Sequence, residues 1–251
     1  LVSDSSSFMS LKSEIIGPCK LCKGEGFLDN LEACECMKRF RVYNRLTSKG
    51  FTRKALDIVT DDAYELPVIE DGENFINYFI DHPEVVESKG LCLYMFSKER
   101  GRGKTTLAHY LMYHIVRYFF NEGNYKSSRT YSFIHAEDFL TQTIKNDDSL
   151  WKSDWLVLDD IGNEDHTAAW KKSNMIAGLQ RVMHYRRDRC LPTIITSNYN
   201  PGGLSTLYKR EVDSLLEIKP DGHLGGAVFR EVSVGGGEDL RLIEDFTSWP
   251  I

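Results

Sequence analysis

From Gly90 onward, apolar and polar positions alternate between two periods. Leu91 to Phe96 is a short continuous apolar run of the kind found in buried parallel strands; a glycine-bearing loop follows, then a long apolar helical pattern through Phe120. Tyr131 to His135 reads as strand and Ala136 to Lys145 as helix. Trp155 to Leu158 is a second buried strand, closing on Asp159 and Asp160. Ala168 to Arg187 is helical, and Thr193 to Thr196 is a β-branched strand that ends at Ser197 and Asn198. This alternation predicts an α/β fold, a parallel sheet with helices on its faces. Upstream, Phe75-Ile76-x-x-Phe79-Ile80 has helical spacing and opens the same domain. No internal repeat is present.

Composition narrows the class. With 251 residues, 41% of them hydrophobic and 27% charged, collagen-like and wholly disordered chains are excluded. The length suits one domain of roughly 170 residues plus a small module. No uninterrupted apolar stretch reaches the roughly 18 residues a membrane span needs, so no membrane partner is expected. The first residues carry no basic-then-apolar signal pattern, and the expected compartment is the reducing cytoplasm.

The net charge of −6 repels phosphate on average, so any contact with nucleic acid requires a local patch. One exists. Met37 to Ala55 holds seven bases and no acid, interleaved with Phe40, Tyr43 and Phe51. It reads either as a solvated or protein-facing surface, or as a single-strand groove in which the aromatics stack on bases. Leu56 to Ser88 then contains no Lys or Arg, and Pro67 and Gly72 interrupt the pattern. The expected organisation is a tail over 1–15 with six serines, a module over 16–60, a linker over 61–74 and the α/β domain over 75–251.

Four of the six cysteines cluster as Cys19-x-x-Cys22 and Cys34-x-Cys36. In a reducing compartment two close pairs read as metal ligands, and no histidine lies near them, so Cys19, Cys22, Cys34 and Cys36 are expected to hold Zn²⁺. A redox Cys-x-x-Cys needs no second pair so near. Cys92, inside the first apolar strand, is expected to be a buried packing residue.

In open parallel sheets, ligands bind beyond the carboxyl ends of the strands, and three strand ends here carry apt chemistry. Gly101, Arg102 and Gly103 form a loop whose backbone amides can wrap a triphosphate. Lys104 would reach the outer phosphates, Thr105 would coordinate Mg²⁺ and Thr106 continues the motif. The helix beginning near Lys104 adds its positive dipole. Asp159 suits a Mg²⁺ contact, Asp160 could orient or deprotonate an attacking water, and Asn198 could hold that water or the γ-phosphate. The loop departs from G-x-x-x-x-G-K-[ST] at its first position, which is Lys98. ATP and Mg²⁺ are the expected cofactors beside zinc.

The strings Gly101-Arg102-Gly103-Lys104-Thr105-Thr106-Leu107-Ala108, Trp155-Leu156-Val157-Leu158-Asp159-Asp160-Ile161-Gly162, Leu191-Pro192-Thr193-Ile194-Ile195-Thr196-Ser197-Asn198 and Gly237-Glu238-Asp239-Leu240-Arg241 resemble a family. It is the AAA+ helicase loaders of the DnaC/DnaI type, with their phage-encoded relatives and the related IstB transposition ATPases. The cysteine pairs and the basic stretch after them resemble the amino-terminal zinc module of phage and Gram-positive-type loaders. The resemblance implies an AAA+ P-loop ATPase core in which Lys104 and Thr105 are Walker A, Asp159 and Asp160 Walker B, Asn198 sensor 1 and Arg241 a sensor-2-like or terminal arginine. It further implies ATP-dependent self-association and loading of a replicative DnaB-family helicase onto single-stranded DNA.

The family's arginine finger, in a motif near R-x-x-[SD]-R-[LM], corresponds here to Arg210-Glu211-Val212-Asp213-Ser214-Leu215, so Ser214 stands at the finger position. Arg210 either substitutes for it or is a solvated helix-face residue. Two other functions stay open: a nucleotide-gated adaptor or inhibitor without efficient turnover, and an IstB-like transposition helper.

Overall fold

The computed structural model describes residues 19–30, 32–60, 64–67, 72–121, 129–145, 151–163, 169–208 and 228–234. Two helices, α1 (Glu35–Thr47) and α2 (Arg53–Val59), precede α3 (Gly72–Asp81) and α4 (Pro83–Lys89). The alternating region follows as β1 (Leu91–Phe96), α5 (Lys104–Asn121), β2 (Tyr131–His135), α6 (Ala136–Lys145), β3 (Trp155–Ile161), α7 (Ala169–Arg187), β4 (Thr193–Ser197), α8 (Pro201–Tyr208) and β5 (Val228–Ser233). The strands form one sheet in the order β2-β3-β4-β1-β5, every neighbouring pair parallel. Because β4 lies between β1 and β3, the carboxyl ends of three strands that are distant in sequence stand side by side.

The period-2 alternation divides the core. Leu93 and Met95 of β1, Trp155 and Val157 of β3 and Ile194 of β4 face a cluster filled by α5 through Leu107, Leu111 and Ile115. Cys92 and Tyr94, Leu156 and Leu158, and Ile195 face the opposite cluster, filled by Phe139 of α6, Leu179 and Val182 of α7, and Leu204 of α8. Cys92 is fully buried in its strand, as expected.

At the amino ends of β3 and β4, the buried Arg186 of α7 donates to the carbonyls of Trp151 (2.8 Å), Ser153 (2.6 Å) and Pro192 (2.6 Å) and to Thr193 Oγ1 (2.8 Å). Burial lowers its pKa to about 10, still far above neutrality.

Helices α1 and α2 lie in the segment expected to form a separate module. Their apolar faces, Val42, Tyr43, Leu46, Leu56 and Val59, are buried in the same cluster as α5 and the sheet. The turn between them reaches the edge strand, where the Phe133 N–H donates to the Lys49 carbonyl at 3.1 Å. Gly50 has φ +93°, and a Cβ there would stand 2.7 Å from the Phe133 carbonyl oxygen.

One reading of the basic stretch is corrected by this packing. Phe40, Tyr43 and Phe51 are 0%, 3% and 3% exposed, so they are core residues and cannot serve as base-stacking platforms. Two of the bases are spent internally: Arg39 donates to the Thr60 carbonyl at 2.6 Å and Arg45 to the Arg129 carbonyl at 2.6 Å.

Candidate functional site

The loop leaving β1 turns through Gly101 (φ +79°) and Gly103 (φ +85°), conformations that a Cβ would strain, and delivers Lys104 as the first residue of α5. The 7% exposed Lys104 folds back on its own loop, its Nζ donating to the carbonyls of Glu99 (3.3 Å) and Ser97 (3.5 Å). Arg102 is ion-paired with Glu99.

One residue on, the Thr105 hydroxyl donates to Asp159 at 3.0 Å (Oδ1) and 3.2 Å (Oδ2). Asp159, at 2% exposure, also accepts from the Thr196 hydroxyl (2.7 Å) and from His135 Nδ1 (3.0 Å). The hydrogen bond to Asp159 raises the His135 imidazole above its ordinary pKa, against the opposing effect of burial.

In a regular strand, Asp159 and Asp160 would point to opposite faces of the sheet. The β3–β4 register shifts between Leu158 and Ile161, and Asp160 takes φ +62°, a left-handed conformation rare outside glycine. The bulge is pinned by the Asp160 N–H donating to Thr196 Oγ1 at 2.8 Å. Asp160 Oδ1 accepts from Asn198 Nδ2 (3.1 Å) and Oδ2 from Asn163 Nδ2 (2.8 Å), while Asn163 Oδ1 accepts from Arg100 at 3.1 Å. Burial, then the Asp159 charge, raise the Asp160 carboxyl above its ordinary pKa, against the pull of Lys104. A carboxylate of raised basicity suits proton abstraction.

Gly101, Arg102, Gly103, Lys104, Thr105, Thr106, Asp160 and Asn198 thus line one cavity of about 280 Å³, joined by Arg100 and Asn163, with the buried Asp159 hydrogen-bonded to the lining residue Thr105. A triphosphate on the loop amides would meet Lys104, and the paired Thr105 and Asp159 oxygens fit the hard-oxygen set that Mg²⁺ prefers. Arg210 and Arg241 lie outside the described residues.

Sequence reading missed His135, Thr196, Asn163 and His109. His135 ends β2 opposite Asp159 in register, so the strand-end rule that found Asp159 also points to it. His109 is fully buried behind the loop. Its Nε2 accepts from the Thr52 N–H at 3.0 Å, so the proton sits on Nδ1, which donates to the Thr105 carbonyl at 2.7 Å. Burial lowers its pKa and keeps it neutral.

At the amino end, a short antiparallel bridge, Phe27 to Ala33, folds the two cysteine pairs together. The four Sγ atoms all lie within 4.8 Å of one another, Cys19 to Cys34 at 3.6 Å and Cys22 to Cys36 at 3.4 Å. Tetrahedral zinc with Zn–S near 2.3 Å requires sulfur separations of about 3.8 Å, so the donor set fits. Cys34 and Cys36 sit at the amino terminus of α1, whose dipole favours thiolate, yet burial raises the Cys34 thiol above its ordinary pKa. Burial raises the Cys22 pKa, but the Gly26 N–H and the Cys36 thiol outweigh it and bring it to about 6.

The fold is α/β, a parallel sheet flanked by helices, with an amino-terminal four-cysteine cluster that suits zinc. Among solved structures, the chain is similar to the DnaC helicase loader, with 21% identity, 69% of this chain and 94% of that one covered, and a TM-score of 0.48. It is also similar to domain III of the Thermotoga maritima replication initiation protein DnaA (20% identity, 68% and 65% covered, TM-score 0.45). A third is DnaI, at 20% identity, 70% and 93% covered and a TM-score of 0.41. No family model and no curated protein matches the chain. Among the described residues no helix is long and apolar enough to cross a membrane.

Proposed function

We propose that the chain is an ATPase that loads a replicative DnaB-family helicase onto single-stranded DNA during replication initiation. The observation that carries the nucleotide half is the convergence of Lys104, the Thr105–Asp159 pair and the Asp160–Asn198 pair on one cavity at three strand ends. Lys104 exchanges the carbonyls of Ser97 and Glu99 for phosphate oxygens. Thr105 and Asp159 would hold Mg²⁺, which would supply charge neutralisation at the β- and γ-phosphates. Asp160, with Asn198, orients a water and takes its proton as the water oxygen bonds to the γ-phosphorus. The bond to the β–γ bridging oxygen breaks and ADP leaves with those electrons. By resemblance, Arg241 adds charge near the terminal phosphate, and the ATP-bound chain self-associates.

The loader half rests on the motif strings and on the cysteine cluster preceding them, which we assign as the helicase-docking module. Lys98 and Ser214 favour the second reading, a nucleotide-gated adaptor or inhibitor with little turnover. The four-cysteine cluster counts against an IstB-like transposition helper. The test is helicase loading on circular single-stranded DNA. With ATP, the wild-type chain should co-elute with a DnaB-family helicase and stimulate its loading, and Lys104→Ala should not stimulate. Absence of both effects in the wild type contradicts the proposal.

A further inference from the structure

Three cations beside Lys104 belong to the loop after β1, and the structure treats them differently. Lys98 does not line the phosphate cavity. Arg102 lines it but is neutralised by Glu99. Arg100 lines it and donates to a neutral amide, Asn163 Oδ1 at 3.1 Å, so among the described residues its charge is not cancelled by a carboxylate contact.

Asn163 holds Asp160 with its other amide atom at 2.8 Å, and Asp160 in turn holds Asn198 at 3.1 Å. The chain Arg100–Asn163–Asp160–Asn198 therefore ties the guanidinium to the side of the cavity where the attacking water and the terminal phosphate would stand. Lys104 approaches from the loop side, through Ser97 and Glu99. By the resemblance, the place of a neighbouring subunit's arginine falls on Ser214, which carries no charge.

We infer that Arg100 is the arginine of the transition state, supplied by the same chain that binds the nucleotide, with Asn163 as its positioning residue. Turnover then needs no arginine from a neighbour. The inference rests on the ATPase reading above and deepens it by stating how hydrolysis is regulated: assembly serves loading, and hydrolysis is complete within one chain. Charge develops on the γ-phosphoryl oxygens as the water attacks and ADP departs. A guanidinium there stabilises that charge more than it stabilises the ground state.

The experiment measures Mg·ATP affinity and single-turnover hydrolysis for wild type, Arg100→Ala and Asn163→Ala, with Lys104→Ala as background. Arg100→Ala should lose about 10³-fold in rate, while its ATP dissociation constant changes by less than about threefold. Millimolar guanidinium should restore part of the rate to Arg100→Ala, which a merely structural role would not allow. Asn163→Ala should show a smaller loss in rate with affinity intact. Wild-type turnover per chain should stay constant across dilution.

Two results overturn the inference alone, wild-type rate in Arg100→Ala or a defect confined to ATP affinity; a wild type that binds Mg·ATP without turning it over contradicts the ATPase reading too. A wild type that does not bind Mg·ATP overturns the ATPase reading as well, so the two failures are distinguishable.

Discussion

Asp160 combines a carboxylate, a strained backbone and a pKa raised by burial in one residue of the phosphate cavity. Asparagine tolerates the left-handed region at least as well as aspartate but is no base. Asp160→Asn should therefore fold and bind ATP like the wild type yet lose turnover, as read by phosphate release; retained turnover would remove Asp160 from its role as base. A second residue reports on pH. Burial, with a smaller push from Arg117, lowers His114 to about 4. A folded pKa below the unfolded value of about 6.5 means that the unfolded chain takes up the proton first. His114 thus costs no stability above pH 6.5 and progressively more as pH falls toward 4. Urea unfolding at pH 7, 6 and 5 should show a stability loss that His114→Gln reduces; an unchanged slope contradicts it. At this scale, sequence reading found the residues that motifs carry, Lys104, Thr105, Asp159, Asp160 and Asn198. It missed Thr196, His135 and Asn163, whose roles depend on register, on strand adjacency and on a bulge that no local spacing encodes.

The elements were more legible than their neighbours. Short apolar runs bounded by polar residues gave β1 to β4, and β3 runs one residue beyond the expected end because Ile161 pairs with Ser197 after the bulge. The amino-terminal stretch was harder. Seven bases drew attention to the solvent side of Met37 to Ala55, whereas Phe40, Val42, Tyr43 and Leu46 form the buried side that decides its place. Gly50 tests that packing. Alanine there would meet both the positive φ and the Phe133 carbonyl, and should destabilise by roughly 1–3 kcal/mol in chemical unfolding. A neutral result would mean that the turn does not sit on β2. At the amino ends of β3 and β4, Arg186→Met would strip donors from three carbonyls and should cost about 3 kcal/mol or more.

Across the whole molecule, the cysteine cluster leads through α1 and the turn before α2 to the start of α5. Cys34 caps α1, the turn after α1 carries Thr52, and Thr52 is joined through His109 to the carbonyl of Thr105. Phe51, His109 and Phe133 pack edge-on and tilted against one another at that junction, with ring centroids 4.7–5.3 Å apart. Removing zinc with a strong chelator should expose the amides of residues 19–36 to hydrogen exchange, while those of 42–59 stay protected by the shared core. Equal protection with and without chelator would show that no metal organises the cluster.

The central claim is that the three strand ends form a Mg·ATP site, and equilibrium titration with a fluorescent ATP analogue tests it most directly. The wild type should bind saturably and more tightly with Mg²⁺ than without, and Lys104→Ala and Asp159→Ala should each abolish the Mg²⁺-dependent binding. Affinity that is absent in the wild type, or unchanged in both variants, would contradict the account.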